Sequence, residues 1–238
     1  MSDILALTSR NAVLGGIAPP DLEVLVAELR HESLELGRVL HEPGRPVDAV
    51  YFPLVGVVSL VAEVDEDDVV EVGTVGHEGM VGLSLFFGAE STTERAVVQV
   101  AGEALSVSAE GFHRCSQAID GPLHAALRRF SQSMFTQLAR NSACNRVHPV
   151  QQRAARWLLM TSDRMLSPSF ELTQGFLAQM LAVRRATVNQ VARALAEDGC
   201  ITYVRGFITI LDRDRLHSHA CSCYDIIRAS TSCHVRAA

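Results

Sequence analysis

The spacing of hydrophobic and polar positions changes twice along the chain. Residues 13–36 have apolar positions at helical spacing, and Pro19-Pro20-Asp21 is a typical helix start. From Arg38 onward the chain contains short β-branched runs separated by turn signals such as Glu42-Pro43-Gly44. These runs are 47–54, 57–64, 69–75, 96–100 and, more weakly, 104–107. Short strands at such regular spacing predict an all-β sandwich, jelly roll or barrel.

A long amphipathic helix is predicted after Gly121-Pro122. Its apolar positions are three or four residues apart, and no proline interrupts it before Pro149. The result is a narrow apolar seam suited to a partner helix, which predicts that residues 122–147 form the axis of a homodimer. The alternative, that the seam packs on its own domain, fits the periodicity nearly as well. The seam consists of Leu123, Leu127, Phe130, Met134 and Leu138.

Residues 172–211 have the pattern of a helix-turn-helix followed by a β-hairpin wing. Thr173 is placed to cap a short first helix, and Asp198-Gly199 ends a longer second helix. The core stripe of the second helix is Val188, Val191, Ala192 and Leu195. Its opposite stripe is Arg185, Ala186, Asn189, Gln190 and Arg193. Strands at 201–204 and 207–210 then form the wing around Arg205-Gly206.

The polar stripe has the chemistry of a DNA-reading surface. Arg bonds bidentately to guanine, and Asn or Gln bonds in the same way to adenine. Arg184 and Thr173 are placed to hold phosphates, and the wing would bring Arg205 to the DNA backbone. The predicted DNA-binding residues are Thr173, Gln174, Arg184, Arg185, Thr187, Asn189, Gln190 and Arg205. A generic amphipathic helix pair explains the pattern less well, because the wing and the one-sided polar stripe occur together.

Charge is divided unevenly between the two halves of the chain. Residues 1–110 contain 5 Arg against 19 Asp and Glu, a formal charge of −14. Residues 111–238 contain 16 Arg against 8 Asp and Glu, a formal charge of +8. The overall charge of −6 therefore conceals a basic second half, which favours a polyanionic partner for that half.

The order of a β-roll, a long helix and a winged helix-turn-helix resembles the Crp/Fnr family of bacterial transcription regulators. The most specific part reads Leu-Thr-Gln-Gly-Phe-Leu-Ala-Gln-Met-Leu-Ala-Val-Arg-Arg-Ala-Thr-Val from residue 172. The resemblance implies an α+β fold: a jelly-roll-type β-roll at 1–121 similar to cyclic-nucleotide-binding modules, a dimerisation helix at 122–147, and a winged helix-turn-helix at 148–238. It also implies a homodimer on a palindromic operator in double-stranded DNA, with RNA polymerase as a further candidate partner.

The chain departs from the family pattern within the helix-turn-helix. Arg185 falls on the family's base-reading arginine and Thr187 on its threonine. Ala186 replaces a common Glu, and Gln190 replaces a common Arg or Ser, so the operator sequence does not follow from the resemblance. Ala182 occupies a turn position that is often Gly; if that position needs a positive φ, Ala costs about 1 kcal/mol there.

The effector site that the resemblance implies departs further. The family pairs Gly-Glu with a later Arg-Ser or Arg-Thr, but here Gly82 is followed by Leu83, and Arg95 by Ala96. Arg95 remains a candidate anion anchor, whereas two hydrogen-bonding partners are lost, at about 1–3 kcal/mol each. We therefore predict that cyclic AMP is not a tight ligand. The site at Gly82, Leu83, Arg95 and Ala96 is expected to hold another small-molecule effector or none.

Two other functional classes are distinguishable from a DNA reader by their sequence features or their binding. An enzyme is not predicted. A cupin-type metal oxygenase needs a His-x-His pair on a strand, whereas His41 and His77 of the β region stand far apart. The chain also lacks a P-loop, a dinucleotide fingerprint and a serine nucleophile elbow. The remaining alternative is a ligand- or metal-sensing module whose winged helix binds a protein. Salt-dependent binding to duplex DNA would separate this alternative from a DNA reader.

The cysteine and histidine pattern leads to no metal or cofactor assignment. The first cysteine is Cys115, so an N-terminal iron–sulfur cluster is not expected. A C-terminal group contains His217, His219, Cys221, Cys223, Cys233 and His234. On a helix, His217 and Cys221 form one i, i+4 pair and His219 and Cys223 form another, a spacing that can bind zinc. The two pairs point in different directions, however, and match no standard motif. The first residues lack signal-peptide features, and no apolar run approaches about 20 residues, so a cytoplasmic protein with no membrane partner is expected.

Overall fold

The computed structural model describes residues 2–64, 69–118 and 121–236. Its N-terminal part begins with three helices, α1 (Ser2–Thr8), α2 (Ala12–Gly15) and α3 (Pro19–Glu28). They are followed by β1 (Arg30–Leu34), β2 (Val39–His41), β3 (Ala49–Glu63), β4 (Val69–Val75), α4 (Leu83–Phe86), β5 (Arg95–Ser108) and α5 (Ala109–Ala118).

The C-terminal part is mainly helical. It comprises α6 (Pro122–Val147), α7 (Val150–Met165), β6 (Ser169–Glu171), α8 (Gln174–Met180), α9 (Arg185–Glu197), β7 (Ile201–Val204), β8 (Phe207–Ile210), α10 (Arg213–His219) and α11 (Cys223–Arg236). None of the helices in the described part of the chain is both long and apolar enough to cross a membrane. The predicted α+β fold, a β-roll followed by a long helix and a winged helix-turn-helix, is confirmed.

The β-roll is an antiparallel sheet in the order β1-β5-β3-β4, with β2 also paired to β5. Its long central strands differ from the sequence prediction, which ended one run at residue 54 and began the next at 57 within β3, and left a gap at 101–103 within β5. Each is one continuous strand, because register shifts in the β3–β5 pairing absorb the proline and the glycines. A Cβ on Gly102 would lie 2.1 Å from the backbone oxygen of Val55, so only glycine permits this close approach of the strands.

Strand β4 lies at one end of the sheet, and side chains of α6 cover the edge of β4 that pairs with no other strand. Gln137 Nε2 donates to the Thr74 carbonyl at 3.0 Å, and its Oε1 accepts from the Thr74 amide at 3.2 Å. Asn141 Nδ2 donates to the Val72 carbonyl at 2.9 Å. These bonds satisfy backbone groups that an edge strand would otherwise leave unpaired. They also hold α6 along the β-roll.

Most of the predicted dimer seam on α6 packs inside its own chain. Leu123, Leu127, Phe130 and Met134 belong to the same buried core cluster as the β-roll residues, and only Leu138 is partly exposed. The β-roll makes room for this packing at Gly79, where a Cβ would lie 2.1 Å from Phe130 Cε2. These four residues therefore pack on their own domain, which was the alternative interpretation of the periodicity, and they are not accessible to a partner helix.

The β-roll and the helix-turn-helix region share a second hydrophobic core. Val57, Val61 and Val100 of the sheet pack in one cluster with residues of α7, including Trp157 and Leu158. This shared core shows that the β-roll and the C-terminal region are in direct contact.

A hydrogen bond and an ion pair also join the β-roll to α7. The Trp157 indole Nε1 donates to Glu71 Oε1 at 3.0 Å. Arg164 Nε forms a buried ion pair with Glu78 Oε1 at 2.7 Å. Glu78 lies in the turn Gly76-His77-Glu78-Gly79, where a Cβ on Gly76 would lie 2.6 Å from Arg164 Cγ. This segment is a turn, and it receives a side chain from α7.

Candidate nucleic-acid interface and effector cavity

The first helix of the predicted helix-turn-helix is capped as expected. Thr173 Oγ1 accepts a hydrogen bond from the Phe176 amide at 3.1 Å. Leu177 and Met180 are buried on the inner side of α8, whereas Phe176 is only partly buried. Because the cap uses Thr173 Oγ1 as an acceptor, its hydroxyl hydrogen stays available to donate to an anion such as a phosphate.

The turn between α8 and α9 requires a left-handed residue. Ala182 has φ of 50°, and its amide donates to the Gln179 carbonyl at 3.0 Å. Ala182 therefore has the positive φ at which an alanine was expected to be strained. An L-residue in this conformation costs about 1 kcal/mol compared with its usual backbone regions.

Helix α9 has the expected buried and exposed faces. Val188, Ala192 and Leu195 are buried, whereas Arg184, Arg185, Asn189 and Gln190 are exposed and Thr187 is partly buried. Arg193 forms an exposed ion pair with Glu197, in which Arg193 Nε lies 2.7 Å from Glu197 Oε1.

The positive charge at the start of α9 is not neutralised within the described part of the chain. Neither Arg184 nor Arg185 forms an ion pair with another described residue. Arg184 is the N-cap residue of α9, and its side chain makes no capping hydrogen bond. The two guanidinium groups and the free amides of the first turn therefore present a positive surface of the kind that binds phosphate.

The predicted wing is a two-residue hairpin. Arg205 and Gly206 have φ of 50° and 85°, two successive positive values typical of the type I′ turn that joins antiparallel strands. The Gly206 carbonyl accepts from the Leu172 amide at 2.7 Å, so the wing is tied to the residue before the Thr173 cap. Arg205 is exposed at the wing tip. Strand β6, which adds a third strand to this sheet, is too short for the sequence pattern to reveal.

A cavity of about 240 Å³ lies between the β-roll and α6. Three of the four predicted effector residues, Gly82, Leu83 and Ala96, line it. The lining is mainly apolar and also includes two residues of α6, Met134 and Leu138. The remaining lining residues are His41, Leu60, Val72, Met80, Val81, Ser84, Phe87, Thr92 and Glu94.

Arg95, the predicted anion anchor, is not among the residues that line this cavity. Its Nε lies 3.0 Å from Glu42 Oε2 and its Nη2 lies 2.7 Å from Glu63 Oε1. Two carboxylates therefore already neutralise the guanidinium. The structure therefore places the Arg95 guanidinium with Glu42 and Glu63 and not in the cavity lining, because sequence shows the presence of an arginine but not its ion-pair partners.

The ionisable groups of the cavity disfavour an anionic ligand. Burial lowers the pKa of His41, whose Nε2 lies 2.8 Å from the Ala49 carbonyl, so the ring is neutral near pH 7. Burial opposes ionisation of Glu94, but hydrogen bonds from Thr92 and Thr93 outweigh it and lower the pKa of Glu94. The described lining thus offers one carboxylate and a neutral imidazole, without a cationic group to hold a cyclic phosphate.

Comparison with known families identifies both halves of the chain. Residues 31–118 match the cyclic nucleotide-binding domain family, and residues 152–218 match the Crp-like helix-turn-helix domain family. No curated protein sequence matches the chain significantly.

Solved structures with the same architecture include three bacterial proteins. The c-di-GMP responsive global regulator CLP of Xanthomonas campestris has a TM-score of 0.66 at 19% identity, covering 82% of this chain and 100% of that one. FixK2 from Bradyrhizobium japonicum has a TM-score of 0.68 at 15% identity, covering 82% of this chain and 98% of its own. A CRP/FNR family transcriptional regulator from Thermus thermophilus has a TM-score of 0.54 at 25% identity, with 80% of this chain and 98% of that one covered.

Proposed function

Since this chain belongs to the Crp/Fnr family of transcription regulators, we propose that it acts as a homodimer on a palindromic operator in double-stranded DNA, without a catalytic step. Helix α9 enters the major groove with Arg185 as the principal base reader, and Arg184 and Arg205 contact the DNA backbone. The observation that carries this proposal is the exposed pair Arg184 and Arg185, without ion-pair partners among the described residues, at the start of a helix whose other face is buried.

The dimer contact is proposed on the face of α6 that the β-roll leaves exposed. Phe135 is 68% exposed, Leu138 37% and Val147 71%. Ala139 and Ala143 lie between them at the same three- and four-residue spacing. An apolar stripe of this kind on a 26-residue helix suits a second copy of the same helix. Of the seam predicted from sequence, only Leu138 remains part of this contact.

For the effector cavity, we propose a small uncharged ligand in place of a cyclic nucleotide. The support is the apolar lining, the Glu94 carboxylate and the engagement of Arg95 by two carboxylates. Met134 and Leu138 belong both to the cavity wall and to α6. A ligand in this cavity would therefore contact the helix that is proposed to join the two subunits.

The test begins by selecting preferred duplexes from a random pool and measuring their affinity by fluorescence anisotropy at several salt concentrations. Arg185→Ala should cost about 1–3 kcal/mol and relax the preference at one base pair. Arg184→Ala should weaken binding to all sequences alike and reduce the salt slope by about one. Arg45→Ala, which removes an exposed charge from the β-roll, is the matched control and should change neither quantity.

Failure to enrich any duplex, or affinity that does not depend on salt, would refute DNA reading and favour the protein-binding alternative. If Arg184→Ala and Arg185→Ala behaved alike, the proposed placement of α9 in the groove would be wrong.

A further inference from the structure

Four metal-ligating side chains from two segments of the chain meet beside the end of α6. Cys144 lies in the last turn of α6, and His148 follows that helix. Cys221 lies just before α11, and Cys223 is the first residue of that helix. Their ligand atoms all lie within 4.8 Å of one another. Cys144 Sγ is 3.5 Å from Cys221 Sγ, and Cys223 Sγ is 3.7 Å from His148 Nδ1. The three cysteines are buried and form their own small cluster.

We propose that these four residues form a tetrahedral Cys3His site for one zinc ion. Zinc binds cysteine sulfur at about 2.3 Å and histidine nitrogen at about 2.0–2.1 Å, so ligand atoms in a tetrahedral site are about 3.5–3.8 Å apart. The Cys144–Cys221 and Cys223–His148 distances fall in this range, and they join two different pairs of the four ligands. Four protein ligands fill the coordination shell, which is typical of a structural zinc site.

The charges around the cluster support this assignment independently of its geometry. Arg153 and Arg156 are buried on α7, and no described carboxylate lies within ion-pair distance of either, although the charge of Arg156 also acts on Glu71. The Nε atom of each also lacks a hydrogen-bond partner among the described residues. Both guanidinium groups interact electrostatically with the cysteines of the cluster. Three thiolates with one Zn²⁺ carry a net charge of −1, which would compensate buried positive charge that is otherwise costly.

The site differs from the C-terminal grouping that the sequence suggested. His217 Nε2 lies 2.9 Å from Asp225 Oδ1, and His219 is paired with Asp198, so neither histidine joins Cys221 and Cys223. The side chains of Cys233 and His234 lie outside the described residues. Two of the ligands instead come from a segment about 75 residues earlier in the chain, which sequence spacing does not indicate.

A bound ion at this place would join three structural elements. His148 belongs to the short connection between α6 and α7, while Cys221 and Cys223 hold the start of α11. The ion would therefore fix the direction of α7 relative to α6. Any effect of this on operator binding rests on the proposed function, whereas metal binding itself does not.

The site is tested on the full chain, purified without a metal-binding tag from cells grown with zinc. Elemental analysis should find about one zinc per chain, as a closed four-ligand site requires. Cys144→Ala and Cys223→Ala should each lower the zinc content at least tenfold. Cys115→Ala is the matched control, since Cys115 is equally buried but lies in the β-roll core, and it should keep its zinc.

A second measurement on the wild-type chain does not depend on the folding of any variant. After the metal is removed with a chelator under reducing conditions, Co²⁺ should give the visible spectrum of tetrahedral thiolate-bound cobalt, and one equivalent of Zn²⁺ should abolish it. Wild-type protein with less than a tenth of an equivalent of zinc and no cobalt spectrum would overturn the proposal. So would a Cys144–Cys221 disulfide in protein purified without oxygen, or iron with sulfide in place of zinc.

Discussion

Replacing Glu71 with Gln is expected to stabilise the protein at alkaline pH but not at acidic pH. The carboxyl group is buried where β4 meets α7. Its Oε1 accepts from the Trp157 indole at 3.0 Å, and its Oε2 lies 2.8 Å from the Ser59 hydroxyl. Burial raises the pKa of Glu71 to about 7, although the Ser59 hydrogen bond and the charge of Arg156 oppose the rise. Glutamine has nearly the same shape and keeps an acceptor for Trp157.

The size of the effect follows from the two pKa values. In the unfolded chain Glu71 loses its proton near its ordinary pKa of 4.5, whereas in the folded protein it keeps the proton until about pH 7. Between these values the folded state binds more protons, so its stability falls as the pH rises. The loss is at most about 3 kcal/mol, since one pKa unit corresponds to about 1.4 kcal/mol. Glu71→Gln removes this loss.

Urea unfolding at several pH values between 5 and 8 measures this effect, with fluorescence of Trp157, the only tryptophan, as the signal. Relative to wild type, the free energy of unfolding of Glu71→Gln should rise as the pH increases from 5 to 8. Glu23→Gln, at an exposed position, is the control and should follow the wild-type pH dependence. A Glu71→Gln protein less stable than wild type at pH 8 would refute the reasoning, because the ionised carboxylate would then be stabilising.

Four further predictions concern other parts of the molecule. Gly79→Ala should destabilise by about 1–3 kcal/mol in urea unfolding, because its Cβ would lie 2.1 Å from Phe130 Cε2; a change near zero would mean that α6 shifts freely. Ala182→Gly should stabilise by about 0.5–1 kcal/mol by relieving the positive φ, whereas the control Ala186→Gly within α9 should destabilise by about 1 kcal/mol. Phe135→Asp should convert the dimer to monomer in sedimentation, unlike Val24→Asp at another exposed apolar position; a dimer that survives would move the contact away from this face. Calorimetry with cyclic AMP should detect no micromolar or tighter binding, and such binding would contradict the assignment of the cavity to an uncharged ligand.

Local sequence signals predicted the helix-turn-helix in detail. The Thr173 cap, the buried stripe of α9 and the wing turn at Arg205-Gly206 depend on residues close together in the chain, and all three are present. The positive φ of Ala182 was anticipated as a condition from the family resemblance, in which this turn position is often Gly.

Predictions that depended on distant neighbours were less successful. Periodicity identified an apolar face on α6 but not what covers it, and the β-roll buries Phe130 and Met134 where a partner helix was expected. Arg95 was chosen by its position, yet its role is decided by Glu42 and Glu63, which are distant from it in the sequence. The Cys144 cluster likewise depends on the contact between α6 and the start of α11.

The buried ion pair between Glu78 and Arg164 limits how this protein can be divided for experiments. Both side chains are only 6% exposed, and they belong to the β-roll and to α7 respectively. Removing either partner from such a pair leaves a costly buried charge or forces repacking around it. A fragment that starts at α7 would also present Trp157 and its apolar neighbours to water. Operator selection or effector screening on an isolated half would therefore examine a surface that the whole chain does not expose.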